Sequence, residues 1–315
     1  MTVETYQPPL GLGNPHVQTI LSSVGRRQII PAPVQQFLQG GTTQIIQVSG
    51  VRLKVDLNLQ TNPDSPLISF IPGWLGSSHS SYVVSMAHEL FNAGFSVARI
   101  NLRDHGDTAH LNPGLFNSAL IEEVIALVEY LSNNFTNNSN NGLVGFSLGG
   151  NFALRVQKRL SILRCLAICP AIEPGDTMYQ IDSSPIYQKY FVQKWRKTWA
   201  AKRAAFPDAF NFGSAMQLTT VSALTDYFVR YHSNYDSTTE YFAAYDLSGD
   251  YLADVNAQIL ASHDDPVIPS SQWADLPESI NVDMTQQGGH GAYLDSWQLS
   301  SWADRYALEF FTQKN

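Results

Sequence analysis

Residues 142–150 read Gly-Leu-Val-Gly-Phe-Ser-Leu-Gly-Gly, an apolar run that breaks on a G-x-S-x-G turn centred on Ser147. Alone the motif arises by chance; a strand-like run before it and a helical pattern after it are what restrict the fold. A serine at such a corner lies between a strand and a helix, in backbone angles that push its hydroxyl clear of the main chain. The flanking glycines belong there because a Cβ would obstruct the close approach of helix to strand. Leu143 and Val144 are strand-like, while Asn151, Phe152, Ala153, Leu154, Val156 and Leu160 continue with helical spacing. The plain alternative is a glycine-rich turn carrying a surface serine.

The alternation of short apolar runs with helical patterns extends along the chain. Thr43–Leu59 predicts an antiparallel hairpin about Ser49-Gly50. Strands are predicted at 66–71, 95–100, 162–168, 257–262 and 280–285, and helices near 80–92, 119–131 and 297–311. Apolar strands separated by helices imply an α/β fold, with a mostly parallel central sheet and helices on both faces. The first forty residues, rich in Pro, Gly and Gln, predict an N-terminal arm (1–40). The core would run through 41–173 and resume over 247–315. Between them, 174–246 loses the strand alternation and turns aromatic, as expected for an inserted helical cap.

With 315 residues, 44% of them hydrophobic, the chain can bury a large core. The 15% charged content excludes a disordered chain, and a net charge of −8 disfavours nucleic acid as a partner. Cys165 and Cys169 would lie about 13 Å apart along a strand, too far for a disulfide. No signal-peptide pattern opens the chain, and no apolar run approaches the roughly 18 residues of a membrane span. The expectation is a soluble cytoplasmic protein. Asp104-His105-Gly106-Asp107, with His110 nearby, lacks the ligand spacing of a zinc site and reads as a loop near the catalytic rim. Neither a P-loop nor a dinucleotide-binding glycine motif is placed at a strand end, so no cofactor and no metal are expected.

A serine hydroxyl needs a base to take its proton and an acid to orient that base. His290, in Gln-Gly-Gly-His-Gly-Ala-Tyr just beyond the last predicted strand, is the candidate base. The acid candidates are Asp264 and Asp265, again directly after a strand. Asp265, preceding Pro-Val-Ile-Pro, is preferred, and Asp264 is left to cap the turn or to hold the loop through backbone amides. The backbone N–H of Leu148 is the first candidate oxyanion donor. The second would come from Pro72-Gly-Trp-Leu-Gly-Ser-Ser, with Trp74 first and Leu75 next.

With Gly13-Asn-Pro-His-Val-Gln-Thr, Pro-Gly-Trp-Leu-Gly-Ser-Ser, Asn101-Leu-Arg-Asp-His-Gly-Asp, Gly-Phe-Ser-Leu-Gly-Gly, Asp-Asp-Pro and Gly-Gly-His-Gly in this order, the chain resembles an α/β-hydrolase of the YheT-like branch. Members of that branch resemble esterases and medium-chain phospholipases. The order serine, acid, histidine is that of the same arrangement. One departure is Pro72, where the oxyanion loop usually starts with histidine. The resemblance implies serine-dependent ester hydrolysis without metal and no particular substrate; the partner expected is a small acyl ester.

Tyr187, Phe191, Trp195 and Trp199 recur every four residues and predict an aromatic stripe on one cap helix. Lys189, Lys194, Arg196, Lys197, Lys202 and Arg203 add a basic character to it. Solvated charges over a packed stripe are one reading; transient contact with an anionic lipid surface is the other. The competing functions are an acyltransferase using the same residues and a ligand-binding protein on a hydrolase scaffold.

Overall fold

Two short helices precede the sheet in the computed structural model, which describes residues 5–25, 30–161 and 164–313. They are α1 (Pro15–Ile20) and α2 (Ala32–Gln39). The first begins at Pro15 because Asn14 Oδ1 accepts the N–H groups of His16 and Val17, at 3.0 and 3.1 Å. The predicted arm is therefore partly helical, and Leu12, Gln18 and Thr19 within it are buried.

The core then alternates strand and helix: β1 (Thr42–Val48), β2 (Val51–Asn58), β3 (Leu67–Ile71), α3 (Ser81–Asn92), β4 (Ser96–Ile100), α4 (Ile121–Asn134), β5 (Gly142–Phe146), α5 (Leu148–Leu160) and β6 (Arg164–Ile168). Four helices follow, α6 (Pro174–Ser183), α7 (Pro185–Ala205), α8 (Val221–His232) and α9 (Thr238–Ala243), before β7 (Ala257–Ser262), β8 (Ile280–Thr285) and α10 (Trp302–Thr312). The strands form one sheet in the order β1-β2-β4-β3-β5-β6-β7-β8. Pairing is antiparallel for β1–β2 and β2–β4 and parallel elsewhere. β3, β4, β5 and β7 are buried at every position, as parallel strands covered on both faces must be. Edge strand β1 is largely exposed.

Helices α3 and α10 pack together, as do α4 and α5. The approach of α5 to the sheet is unusually close: a Cβ added at Gly149 would lie 2.2 Å from the carbonyl oxygen of Ile71 at the end of β3. Only glycine fits there. The inserted helices α6–α9 share the core of the sheet, since Tyr187, Val192, Trp199, Leu224 and Phe228 belong to the same buried cluster as β3–β7.

Most predicted limits differ by one to three residues, and two starts differ for a reason of their own. The closing helix starts at Trp302 and not at Trp297, because Asp295–Ser301 folds back on itself: Asp295 N–H donates to Ser300 O at 3.1 Å, and Leu294 bridges Ser301. The strand predicted from Ile162 begins at Arg164 among the described residues, and Ile162 lies outside them. Among the described residues no helix is long and apolar enough to cross a membrane.

Candidate active site

Ser147 is the single residue between β5 and α5, and its φ of +54° with ψ of −119° is forbidden to most side chains. Such a conformation costs about 1–3 kcal/mol and persists only where its surroundings enforce it. They do so here through the N–H of Ser147, which donates to Ile168 O at 2.9 Å, and its carbonyl, which accepts from Asn151 N–H at 3.1 Å. The hydroxyl thus stands at the carboxyl end of the parallel strands, where the N-terminus of α5 presents unpaired N–H groups.

His290 follows β8 and meets Asp265, which follows β7: Nδ1 of the imidazole and Oδ2 of the carboxylate are 2.8 Å apart, with the aspartate side chain wholly buried. The other oxygen, Oδ1, accepts the N–H groups of Val267 and Ile268 at 2.7 and 2.9 Å. The carboxylate is therefore fixed on both oxygens, which orients the ring and leaves Nε2 for other work. Asp264 points elsewhere. Its Oδ1 accepts Gly289 N–H at 2.9 Å, so it holds the loop and not the ring. Ser147 and His290 line one cavity of about 260 Å³.

The N-terminal segment supplies contacts that sequence reasoning missed. Thr19 Oγ1 accepts the main-chain N–H of His290 at 2.9 Å and donates its own hydrogen to Pro15 O at 2.8 Å. Gln18, almost completely buried, accepts Leu294 N–H at 2.8 Å and donates to Leu12 O at 2.8 Å. At Gly289, with φ of +58°, a Cβ would come 2.8 Å from both Pro15 O and Thr19 Oγ1, so the glycine admits α1 against the histidine loop. The signal was present as Gly13-Asn-Pro-His-Val-Gln-Thr, but nothing local told which loop it served.

After β3 the chain turns through Gly73-Trp74-Leu75-Gly76, closed by Gly76 N–H to Gly73 O at 2.9 Å. The N–H of Leu75 donates to His105 Nε2 at 3.0 Å, and that of Gly73 to the Tyr82 hydroxyl at 3.1 Å. The amides of Trp74 and Leu148 donate to none of the hydrogen bonds formed among the described residues. The Leu75 N–H is thereby engaged, while those of Trp74 and Leu148 are free among the described residues.

A second, smaller cavity of about 90 Å³ shares Ser147, Trp74, Phe191 and Val267 with the first and extends past Leu148 to Met178, Trp195 and Phe228. Its lining is chiefly apolar. The aromatic stripe of α7 contributes directly: Phe191 stacks on Trp74 at 5.3 Å and Trp195 meets it edge-on at 4.9 Å. The basic character of α7 is divided. Lys194 donates to Leu75 O, Arg196 to Leu218 O, and fully buried Lys202 to Asp104 Oδ1, Asn112 O and Gly114 O at 2.6–2.7 Å. Lys189, Lys197 and Arg203 remain exposed.

The Asp104–Asp107 loop is likewise structural in its contacts. Asp104 takes Lys202 and the N–H of Phe116, while burial lowers His105 to a pKa of about 4, so the ring is neutral with Nδ1 directed at Arg103 O. Among the described residues, His, Cys, Asp and Glu ligand atoms converge within 4.8 Å at Cys169, Asp265 and His290. Burial pushes the Cys169 thiol far above its usual range and Nδ1 of His290 is engaged with Asp265, so this set suits a protonated thiol better than a metal.

A model of the alpha/beta hydrolase family matches residues 70–307. The putative esterase YheT of Escherichia coli (strain K12) is 23% identical over 313 residues, covering 91% of this chain and 86% of its own. The embryogenesis-associated protein EMB8 of Picea glauca is 23% identical over 323 residues, covering 95% of this chain and 70% of its own. Among solved structures, the Pyrococcus furiosus esterase Pf2001 superimposes with a TM-score of 0.58 at 14% identity, covering 98% of this chain and 97% of that one. That likeness is one of fold.

Proposed function

The chain belongs to the alpha/beta hydrolase family, in its YheT-like branch, and on that premise we propose that it is a serine-dependent carboxylic ester hydrolase for short- to medium-chain acyl esters. Ser147 Oγ attacks the ester carbonyl while His290 Nε2 takes its proton. Asp265 holds the ring and stabilises the imidazolium that forms. The N–H groups of Trp74 and Leu148 receive the oxyanion. His290 then returns the proton to the departing alkoxide, and water hydrolyses the acyl-enzyme by the same steps in reverse roles.

One observation carries this reading: Ser147 lies on the wall shared by two cavities, of which one also holds His290. An ester bound across the serine divides accordingly. We assign its alcohol to the cavity beside His290, where the leaving oxygen needs a proton, and its acyl chain to the cavity under α6–α8. The small volume of the cavity under α6–α8, about 90 Å³, supports an acyl chain of short to medium length. In this reading residues 174–246 are the cap over a core formed by 41–173 and 247–315, with 1–40 as its arm. The esterase names of YheT and Pf2001 support the same chemistry.

The test is labelling by a fluorophosphonate, with Ser147→Ala as the control, followed by turnover of p-nitrophenyl esters of increasing acyl length. The expected result is labelling of the native chain alone and an optimum at short to medium chains. A native protein that is neither labelled nor active removes the proposal.

A further inference from the structure

Leu75 is the most constrained residue of the turn after β3. It occupies the third position of the Gly73–Gly76 turn with φ of +57°, a value turns of this kind usually give to glycine. A γ-branched residue there must be held by its neighbours. Both ends of it are. His105 Nε2, from the loop after β4, receives its N–H at 3.0 Å, and Lys194 Nζ, from α7, donates to its carbonyl at 3.0 Å. His105 can accept only because its ring is neutral, and complete burial keeps it so.

The same helix grips the residue before it. Phe191, Lys194 and Trp195 lie at positions i, i+3 and i+4 of α7, one face of a helix. Two of these side chains pack on the Trp74 ring and the third reaches the next carbonyl. Every other N–H of the turn has a partner; the Trp74 N–H shares its peptide plane with Gly73 O, which accepts from Gly76 N–H, so its direction follows from the closed turn that the two contacts to Leu75 hold in shape.

We propose that Lys194 and His105 are positioning residues for the oxyanion site, aiming the N–H of Trp74 by clamping the Leu75 peptide groups from cap and core. The proposal rests on the ester-hydrolase reading given above. Its consequence is that α7 acts on the reaction without touching the reacting atoms. Displacing the cap and losing one oxyanion donor are then a single event.

The experiment compares Lys194→Met, Lys194→Arg and Lys197→Met, the last on the exposed face of the same helix. For each, kcat and KM are measured on a p-nitrophenyl ester, together with the affinity of an alkylboronic acid that forms a tetrahedral adduct on the serine. Deleting an oxyanion donor costs roughly 10²–10³ in kcat, so a misaimed one costs about 10-fold or more. Lys194→Met is expected to lower kcat and boronate affinity by the same factor with KM nearly unchanged. Lys194→Arg, which can still donate to the Leu75 carbonyl, recovers most of the loss, and Lys197→Met behaves as the native chain.

Unchanged kcat in Lys194→Met, or a fall in kcat with boronate affinity intact, overturns the proposal; so does an equal loss in Lys197→Met. Should Lys194→Met not fold, Lys194→Gln gives the same comparison. Failure of the ester-hydrolase reading is recognised separately, by a native chain that takes no fluorophosphonate.

Discussion

Thr19 Oγ1 and the main-chain N–H of His290 are 2.9 Å apart across 271 positions of sequence. The candidate base is therefore oriented from two sides, its ring by Asp265 and its backbone by the first helix of the chain. Replacing Thr19 with valine leaves a part-buried N–H without a partner, at a cost of about 1–3 kcal/mol to that loop arrangement. We expect kcat to fall about tenfold with KM little changed, and Thr19→Ser to restore it. Steady-state kinetics on an acyl ester decide the point, and a valine variant as fast as the native chain refutes it.

The two adjacent aspartates should separate cleanly. Asp265→Asn removes the charge that holds the imidazole and should lower kcat by roughly 10⁴, as such substitutions do in serine hydrolases. Asp264→Asn can still accept from Gly289 through its amide oxygen, so its effect should stay below about tenfold. A larger loss in Asp264→Asn would reassign the acid.

Lys202 is an ammonium without exposure whose three acceptors are Asp104 Oδ1, Asn112 O and Gly114 O. Lys202→Met strands the Asp104 carboxylate in the interior and should destabilise the chain by about 3–5 kcal/mol. Adding Asp104→Asn should return part of it. Urea unfolding of the single and double variants measures both, and additive losses would contradict the pairing.

His105 links stability to pH. Burial holds its folded pKa at about 4, below the ordinary value of 6.5. Between those limits the unfolded chain takes up a proton that the folded chain refuses. Stability is therefore full above pH 6.5 and falls as the solution is acidified toward pH 4, by at most roughly 3 kcal/mol. His105→Gln keeps an acceptor for Leu75 but cannot titrate, so its unfolding free energy should change less over that window. Parallel slopes for the two proteins would exclude the assignment.

The sheet was readable because its strands are short runs, mainly apolar at 257–262 and alternating apolar with polar at 280–285, where predicted and observed limits coincide. Ser147, Asp265 and His290 stood out as candidates because each follows a strand within a few residues, and the structure joins Asp265 to His290 and sets Ser147 and His290 on one cavity. What escaped were contacts whose partners lie far along the chain. Lys202 read as one charge of a solvated face, since Asp104 is 98 positions away. Thr19 and His105 carried no local sign of the loops they hold. The start of α10 was misplaced because Trp297 has helical company in sequence, while Asp295, Ser296 and Ser300 bond among themselves instead.

The buried Lys202 ammonium makes the inserted helices poor candidates for modular exchange. A foreign segment grafted between β6 and β7 would bring no cation to Asp104 and no donor to Leu75, so the recipient would be both weakened and blunted. Any remodelling of this segment must therefore either retain the two lysines, eight positions apart on one helix, or rebuild the core loops beneath them at the same time.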